Sequence, residues 1–114
     1  VHLLWDSGKH SLVYRLWTKE GGWQPIDTHT YSGLVLYPRI ALDRADKVHV
    51  IWSDNGKVNY VWQQDDGSWT DPLFFGDSQG AEPESAIAIA ADDSLHFVWR
   101  TKSDETDYYY GTMP

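Results

Sequence analysis

Cysteine is absent from the 114 residues, so the chain holds neither a disulfide nor a thiolate metal site and has to be stabilised by packing. Basic residues are scarce: nine Lys and Arg stand against 17 Asp and Glu, for a net charge of −8. The nine are scattered, so phosphate backbones and anionic membranes find no basic cluster, which disfavours both as partners. No apolar run reaches the roughly 18 residues of a membrane-spanning helix. There is no glycine-rich phosphate loop, because Gly21-Gly22 precedes a strand-like run and not a helix. Ser and His nowhere stand in an arrangement that suggests an activated nucleophile.

What the chain has is aromatic residues, seven Trp and seven Tyr, and they recur. Val48-His49-Val50-Ile51-Trp52 has near copies 47 positions earlier, Val1-His2-Leu3-Leu4-Trp5, and 47 positions later, Leu95-His96-Phe97-Val98-Trp99. Tyr14 and Tyr60 each lie nine residues before Trp23 and Trp69, and Pro25 and Pro72 follow. Ile40-Ala41-Leu42 aligns with Ile87-Ala88-Ile89, and Asp46 with Asp93. Repetition at this period marks a modular array. A large residue that returns in every unit reads as packing between units.

The runs between turn signals are short and rich in Val, Ile, Leu and aromatics, which predicts strands. Asp54-Asn55-Gly56 and Asp66-Gly67 supply the positive-φ residues of tight hairpins. Four strands per unit follow: A at 39–42 and 85–89, B at 1–5, 47–53 and 95–100, C at 11–17, 58–63 and 106–110, D at 23–27 and 69–75. Four antiparallel strands repeated every 40 to 50 residues or so predict an all-β fold of β-propeller blades. Residues 1–114 are expected to form about two and a half blades: strands B–D over 1–31, A–D over 37–76 and A–C over 82–114. An open stack of this kind would expose apolar blade faces. The expected partners are therefore further blades, from a longer chain or from other copies.

The hairpin Asp65-Asp66-Gly67-Ser68-Trp69 resembles a shortened Asp-box, the Ser-x-Asp-x-Gly-x-Thr-Trp turn between the third and fourth strands of sialidase-like propeller blades. Lys19-Glu20-Gly21-Gly22-Trp23 occupies the same place, without the Asp. Ala41-Leu42-Asp43 leading to Val48–Asp54 looks like the repeats of bacterial extracellular proteins in that group. The leading Ser and the Thr before Trp are missing from both hairpins. The resemblance implies a protein outside the cell or on its surface, and a hairpin whose Asp and Trp brace the turn without carrying chemistry. A sialidase-like active site would need several arginines around a carboxylate, with a Tyr–Glu pair and an acid. The chain has only Arg15, Arg39, Arg44 and Arg100. Arg39 enters strand A, where it could pair with an anionic group facing a central channel or form a salt bridge at the strand end.

His2, His49 and His96 occupy equivalent positions on separate sheets, and none has the close second ligand of a zinc site, so each is expected to pack and bond a neighbouring strand. The acidic turns at 43–46 and 92–93 lack the interleaved spacing of a calcium loop. No metal, cofactor or catalytic residue is assigned. What varies between the copies is the B–C loops, 6–10, 53–57 and 100–105, and the D–A stretches, 28–37 and 76–84. They carry His10, Tyr31, Tyr37, Asp54, Asn55 and Asp104, aromatic faces and polar groups of the kind that bind sugars; with Arg39 these are the candidate ligand-binding residues. The expectation is a non-catalytic extracellular recognition module of the sialidase-like propeller type that binds glycan or protein. The alternatives are a fragment of a glycan-degrading enzyme and a purely structural or engineered propeller fragment.

Overall fold

Apolar runs this short, each closed by a turn, leave no room for a helix. Among the residues that the computed structural model describes, 1–54, 57–75, 85–100 and 108–113, every regular element is a β-strand. β1 (His2–Ser7), β2 (Ser11–Thr18), β3 (Gly22–Trp23) and β4 (Asp27–Thr30) form a first antiparallel sheet in which both β3 and β4 pair with β2. β5 (Leu36–Leu42), β6 (Val48–Asp54), β7 (Lys57–Trp62) and β8 (Leu73–Phe75) form a second, in chain order. β9 (Ser85–Ile89), β10 (Leu95–Arg100) and β11 (Tyr108–Met113) form a third. Thus the chain is all-β, built of sheets that follow one another in sequence.

The strand expected at 23–27 is two strands, and the reason is Pro25. Proline cannot donate to the ladder, so pairing breaks after Trp23 and resumes at Asp27. Pro72 acts in the same way in the second sheet: Trp69 makes an isolated bridge with Gln63, and regular pairing resumes at Leu73. The third-sheet strand expected at 106–110 lies at Tyr108–Met113; residues 106 and 107 fall outside the described residues.

The repeat is also present in the backbone of the turns. Between β5 and β6, Asp43 N–H donates to Lys47 O at 3.0 Å and Asp46 N–H to Asp43 O at 3.0 Å. Between β9 and β10, Ala90 N–H donates to Ser94 O at 2.9 Å and Asp93 N–H to Ala90 O at 2.9 Å. Asp46 and Asp93 both have positive φ, 62° and 65°, which Asp tolerates better than most residues. At the second C–D hairpin Gly67 has φ 87°, where a β-branched residue would be strained. Asp66 Oδ1 accepts the N–H of Ser68 at 2.9 Å and its hydroxyl as well, so the acidic residue braces the turn. Trp69 does something else. Its indole N–H donates to Asp27 Oδ2 of the first sheet at 2.9 Å, and its ring meets Tyr14 edge-on at 5.5 Å.

The second sheet lies between the other two, and strand alternation decides which side chain meets which neighbour. Val48, Val50 and Trp52, alternate residues of β6, join Val61 and Val35 in one cluster with Leu12 and Tyr14 of the first sheet. Ile51 lies on the opposite face with Val58 and Tyr60, against Leu95 and Phe97 of the third sheet. Burial on both faces explains the nearly continuous apolar run of β6 from Val48 to Trp52, which only His49 interrupts. Trp52 is 1% exposed, whereas its repeat mate Trp5, on the outer face of the first sheet, is 39% exposed.

Candidate functional site

The two contacts that recur between His and Tyr are internal braces. His49 and Tyr60 are diagonal neighbours across β6 and β7, since His49 pairs with Trp62 and Ile51 with Tyr60. Tyr60 Oη lies 2.6 Å from His49 Nδ1, and His49 Nε2 lies 2.9 Å from Asp43 Oδ2. In the neutral ring, Nε2–H donates to the acceptor-only carboxylate and Nδ1 accepts the Tyr60 hydroxyl. The first sheet repeats the pair: His2 Nδ1 lies 2.8 Å from Tyr14 Oη. There the carboxylate comes from the next sheet, Asp46 Oδ2 at 3.2 Å. The expected packing role of His2 and His49 therefore has named partners.

Burial, and secondarily the Asp43 charge, pushes the Tyr60 hydroxyl well above its ordinary value of 10.0, so it keeps its proton and donates it in a hydrogen bond to His49. Partial burial works to raise the Asp43 carboxyl. The hydrogen bond from His49 and those from the backbone N–H groups of Lys47 and Ala45, each 2.9 Å, outweigh it and hold Asp43 below 3.8. A carboxyl lowered by folding contributes stability above its unfolded value, and that stability is lost as the pH falls through the folded one. The melting temperature should accordingly fall below about pH 4, and Asp43→Asn should flatten that acid limb while lowering the plateau at neutral pH. Parallel acid profiles for wild type and Asp43→Asn would remove Asp43 from the account.

A cleft opens where the chain crosses from the first sheet to the second. After β4, the crossing segment is pinned to the β1–β2 turn by Tyr31 N–H to His10 O and Val35 N–H to Lys9 O, both 2.8 Å. His10 Nδ1 donates to Gly33 O at 2.7 Å. Asp54, at the end of β6, accepts the N–H of Leu34 at 3.1 Å on Oδ1. A Cβ at Gly33 would meet this carboxylate, so the Asp54 side chain would have to shift to admit one. Beneath, the Tyr31 ring lies 4.7 Å from that of Trp52. Burial, with a smaller contribution from the Asp27 charge, pushes the Tyr31 hydroxyl up to about 12, so it stays protonated.

Between these walls is a cleft of about 440 Å³, bordered by Tyr31, Asp54, Lys57, Asn59 and Phe74 with Trp52 below. Lys57 Nζ sits 4.7 Å from the centre of the Phe74 ring. The site thus pairs aromatic surface with hydroxyl, carboxylate, amide and ammonium groups. Among the described residues no three His, Asp or Glu are grouped to hold a metal ion.

Of the residues the sequence singles out, Tyr31 and Asp54 border the cleft. His10 supports its wall through Gly33. Tyr37 and Arg39 lie outside it, exposed on β5 where the register slips between Leu36 and Arg39. Tyr37 there has φ 52°, and Arg39 Nη1 donates to Pro38 O at 3.1 Å. Asn55 and Asp104 fall outside the described residues. Sequence reasoning passed over Lys57, Asn59 and Phe74. Phe74 carried a usable signal: its counterpart 46 positions earlier is Thr28, so the ring departs from the repeated core, and it is strongly exposed. The chain matches no protein-family model, no curated protein and no solved structure.

Proposed function

We propose that the chain is part of a β-propeller-type recognition module that works outside the cell without catalysis, and that the cleft between its first two sheets binds a glycan. The observation that carries this reading is the composition of the cleft: aromatic faces of Tyr31 and Phe74 beside Asp54, Lys57 and Asn59, in a volume within the roughly 300–1,000 Å³ of small-molecule sites. Sugar C–H groups stack on such rings while hydroxyls bond the polar groups. The propeller part of the reading is supported by the sequential antiparallel sheets and by β5, which lies against β1 on one side and β9 on the other, as inner strands do around an axis. Carbohydrate is favoured over protein because the site is concave and small.

The test is titration of a panel of soluble oligosaccharides by calorimetry or saturation-transfer NMR. Phe74→Ala and Asn59→Ala should each weaken the best binder by about tenfold, ~1.4 kcal/mol, with melting temperatures unchanged. A panel without a binder, or a binder indifferent to both substitutions, defeats the glycan reading.

A further inference from the structure

The face that the second sheet turns to the first changes character along its strands. Val48, Val50 and Val61 are apolar and buried in the joint. One step further along, Trp52, Asn59 and Phe74 stand directly opposite one another on β6, β7 and β8, and the step after that sets Asp54 opposite Lys57. Direct cross-strand neighbours share a face, so these side chains form two rows at the cleft, where Tyr31 of the crossing segment meets Trp52. The first sheet keeps the register and not the chemistry: in the same rows it sets Trp5, Val13 and Thr28, then Ser7 and Ser11. Asparagine, aspartate and lysine at these places are thus no requirement of the strand pattern.

Most of the hydrogen-bonding capacity of the two rows is free. Among the described residues nothing bonds the Asn59 amide or accepts from the Trp52 indole N–H. Trp52 borders the cleft while only 1% exposed, so a ligand atom that reaches it leaves water behind, and a donor in such a place favours a matching acceptor strongly. Asp54 gives Leu34 N–H one of the roughly four acceptor positions of a carboxylate. Lys57 makes no ion pair among the described residues, and its ammonium rests over the Phe74 ring at 4.7 Å. One cation and one anion leave these rows electrically balanced, so neither a carboxylated nor an amino sugar gains from net charge. The substituent that gains is neutral and carries a donor and an acceptor at once.

An acetamido group has that character. As a secondary amide it holds N–H and C=O on opposite sides of a trans bond, so it needs an acceptor and a donor that face each other across a gap. Asn59 and Asp54 stand in that relation: Asp54 pairs with Lys57, two residues before Asn59, and such diagonal neighbours lie about 7–8 Å apart in a sheet. We propose that the cleft selects an N-acetylated hexosamine. The acetamido carbonyl accepts from the Asn59 amide and the Trp52 indole N–H, its N–H donates to Asp54, its methyl group rests against the Tyr31 and Trp52 rings, and the pyranose packs on Phe74. This assignment rests on the glycan reading above and narrows it to one class of sugar.

Calorimetric titration with matched sugars tests it. Triacetylchitotriose, cellotriose and fully deacetylated chitotriose share one backbone and differ only in carrying acetamido, hydroxyl or ammonium groups; the same substituents on a galactose ring make a second set. In one set the acetylated sugar should bind at least about tenfold tighter than both counterparts. Asn59→Asp, which replaces the amide donor by an acceptor, should erase that preference, whereas Phe74→Ala should weaken acetylated and hydroxyl sugars alike and leave their ratio unchanged. Should Asn59→Asp lose its native circular dichroism, Asn59→Ala takes its place. Equal affinity for acetylated and hydroxyl sugars, both still sensitive to Phe74→Ala, overturns the acetamido assignment and leaves the glycan reading standing. So does a best binder in the wider panel that carries no acetamido group, or a preference that survives the Asn59 variant. Tighter binding of the ammonium sugar overturns it in favour of Asp54 as a receptor for cations, and tighter binding of an oligogalacturonate in favour of Lys57 as a receptor for carboxylates. If no sugar binds at all, the glycan reading falls and the acetamido assignment with it.

Discussion

Trp52→Ala is expected to destabilise the protein by about 3–5 kcal/mol, the usual cost of emptying a buried aromatic site. The ring lies in the joint between the first and second sheets, clustered with Val50 and Val61 and in contact with the Tyr31 ring. Its removal empties the floor of the cleft at the same time, so the glycan binding proposed there should weaken along with stability. Equilibrium unfolding in urea, followed by circular dichroism, measures the effect. Trp5→Ala is the control supplied by the repeat: the residue type and strand position are the same, but one face of the ring looks outward. Trp5→Ala should cost much less. Equal losses at the two positions would mean that burial in the joint is not what gives Trp52 its effect, and an unchanged melting temperature for Trp52→Ala would remove it from the core altogether.

That contrast also shows what a repeated sequence can and cannot reveal. The strand pattern and the packing of His2, His49, Trp52 and Trp69 are legible, because each follows from local alternation and from a residue returning in register, whereas Trp5 and Trp23, at equivalent positions, are exposed. The positive φ of Gly67 is legible too, since a tight hairpin after two Asp residues needs it. Two things were hidden for physical reasons. Proline's missing donor splits the outermost strands at Pro25 and Pro72, and a run of otherwise suitable residues conceals the break. The cleft is assembled by the angle and distance at which two sheets meet, so Tyr31 from the crossing segment and Phe74 from β8 converge although nothing in their spacing announces it. Tyr37 and Arg39 illustrate the same limit. They belong to the expected loop and strand, yet the register slip in β5 leaves them on exposed backbone away from the cleft.

Tyr60→Phe is expected to cost about 1–3 kcal/mol, which is large for the loss of one oxygen atom. Phenylalanine keeps the ring against Trp62 and Phe97, at centroid distances of 5.1 and 5.6 Å, so the transfer of apolar surface is almost unchanged. What is lost is the donor placed at His49 Nδ1 in the interior of the second sheet, and a buried acceptor stripped of its partner bears its desolvation cost uncompensated. The other nitrogen stays committed to Asp43, so the imidazole cannot simply turn to find a new partner. Tyr14→Phe makes the same chemical change in the first sheet, where His2 leans on an aspartate, Asp46, whose side chain is 74% exposed, against 18% for Asp43. Water can reach that copy of the brace, and its loss should fall near the bottom of the range. The ordering is checked by unfolding both variants under one set of conditions, together with His49→Gln and the double variant to isolate the Tyr60–His49 coupling. A Tyr60→Phe protein as stable as wild type, or a cycle with no coupling, would show that the short Tyr–His contact contributes only shape; a larger loss at Tyr14 than at Tyr60 would show that burial does not set the strength of the brace.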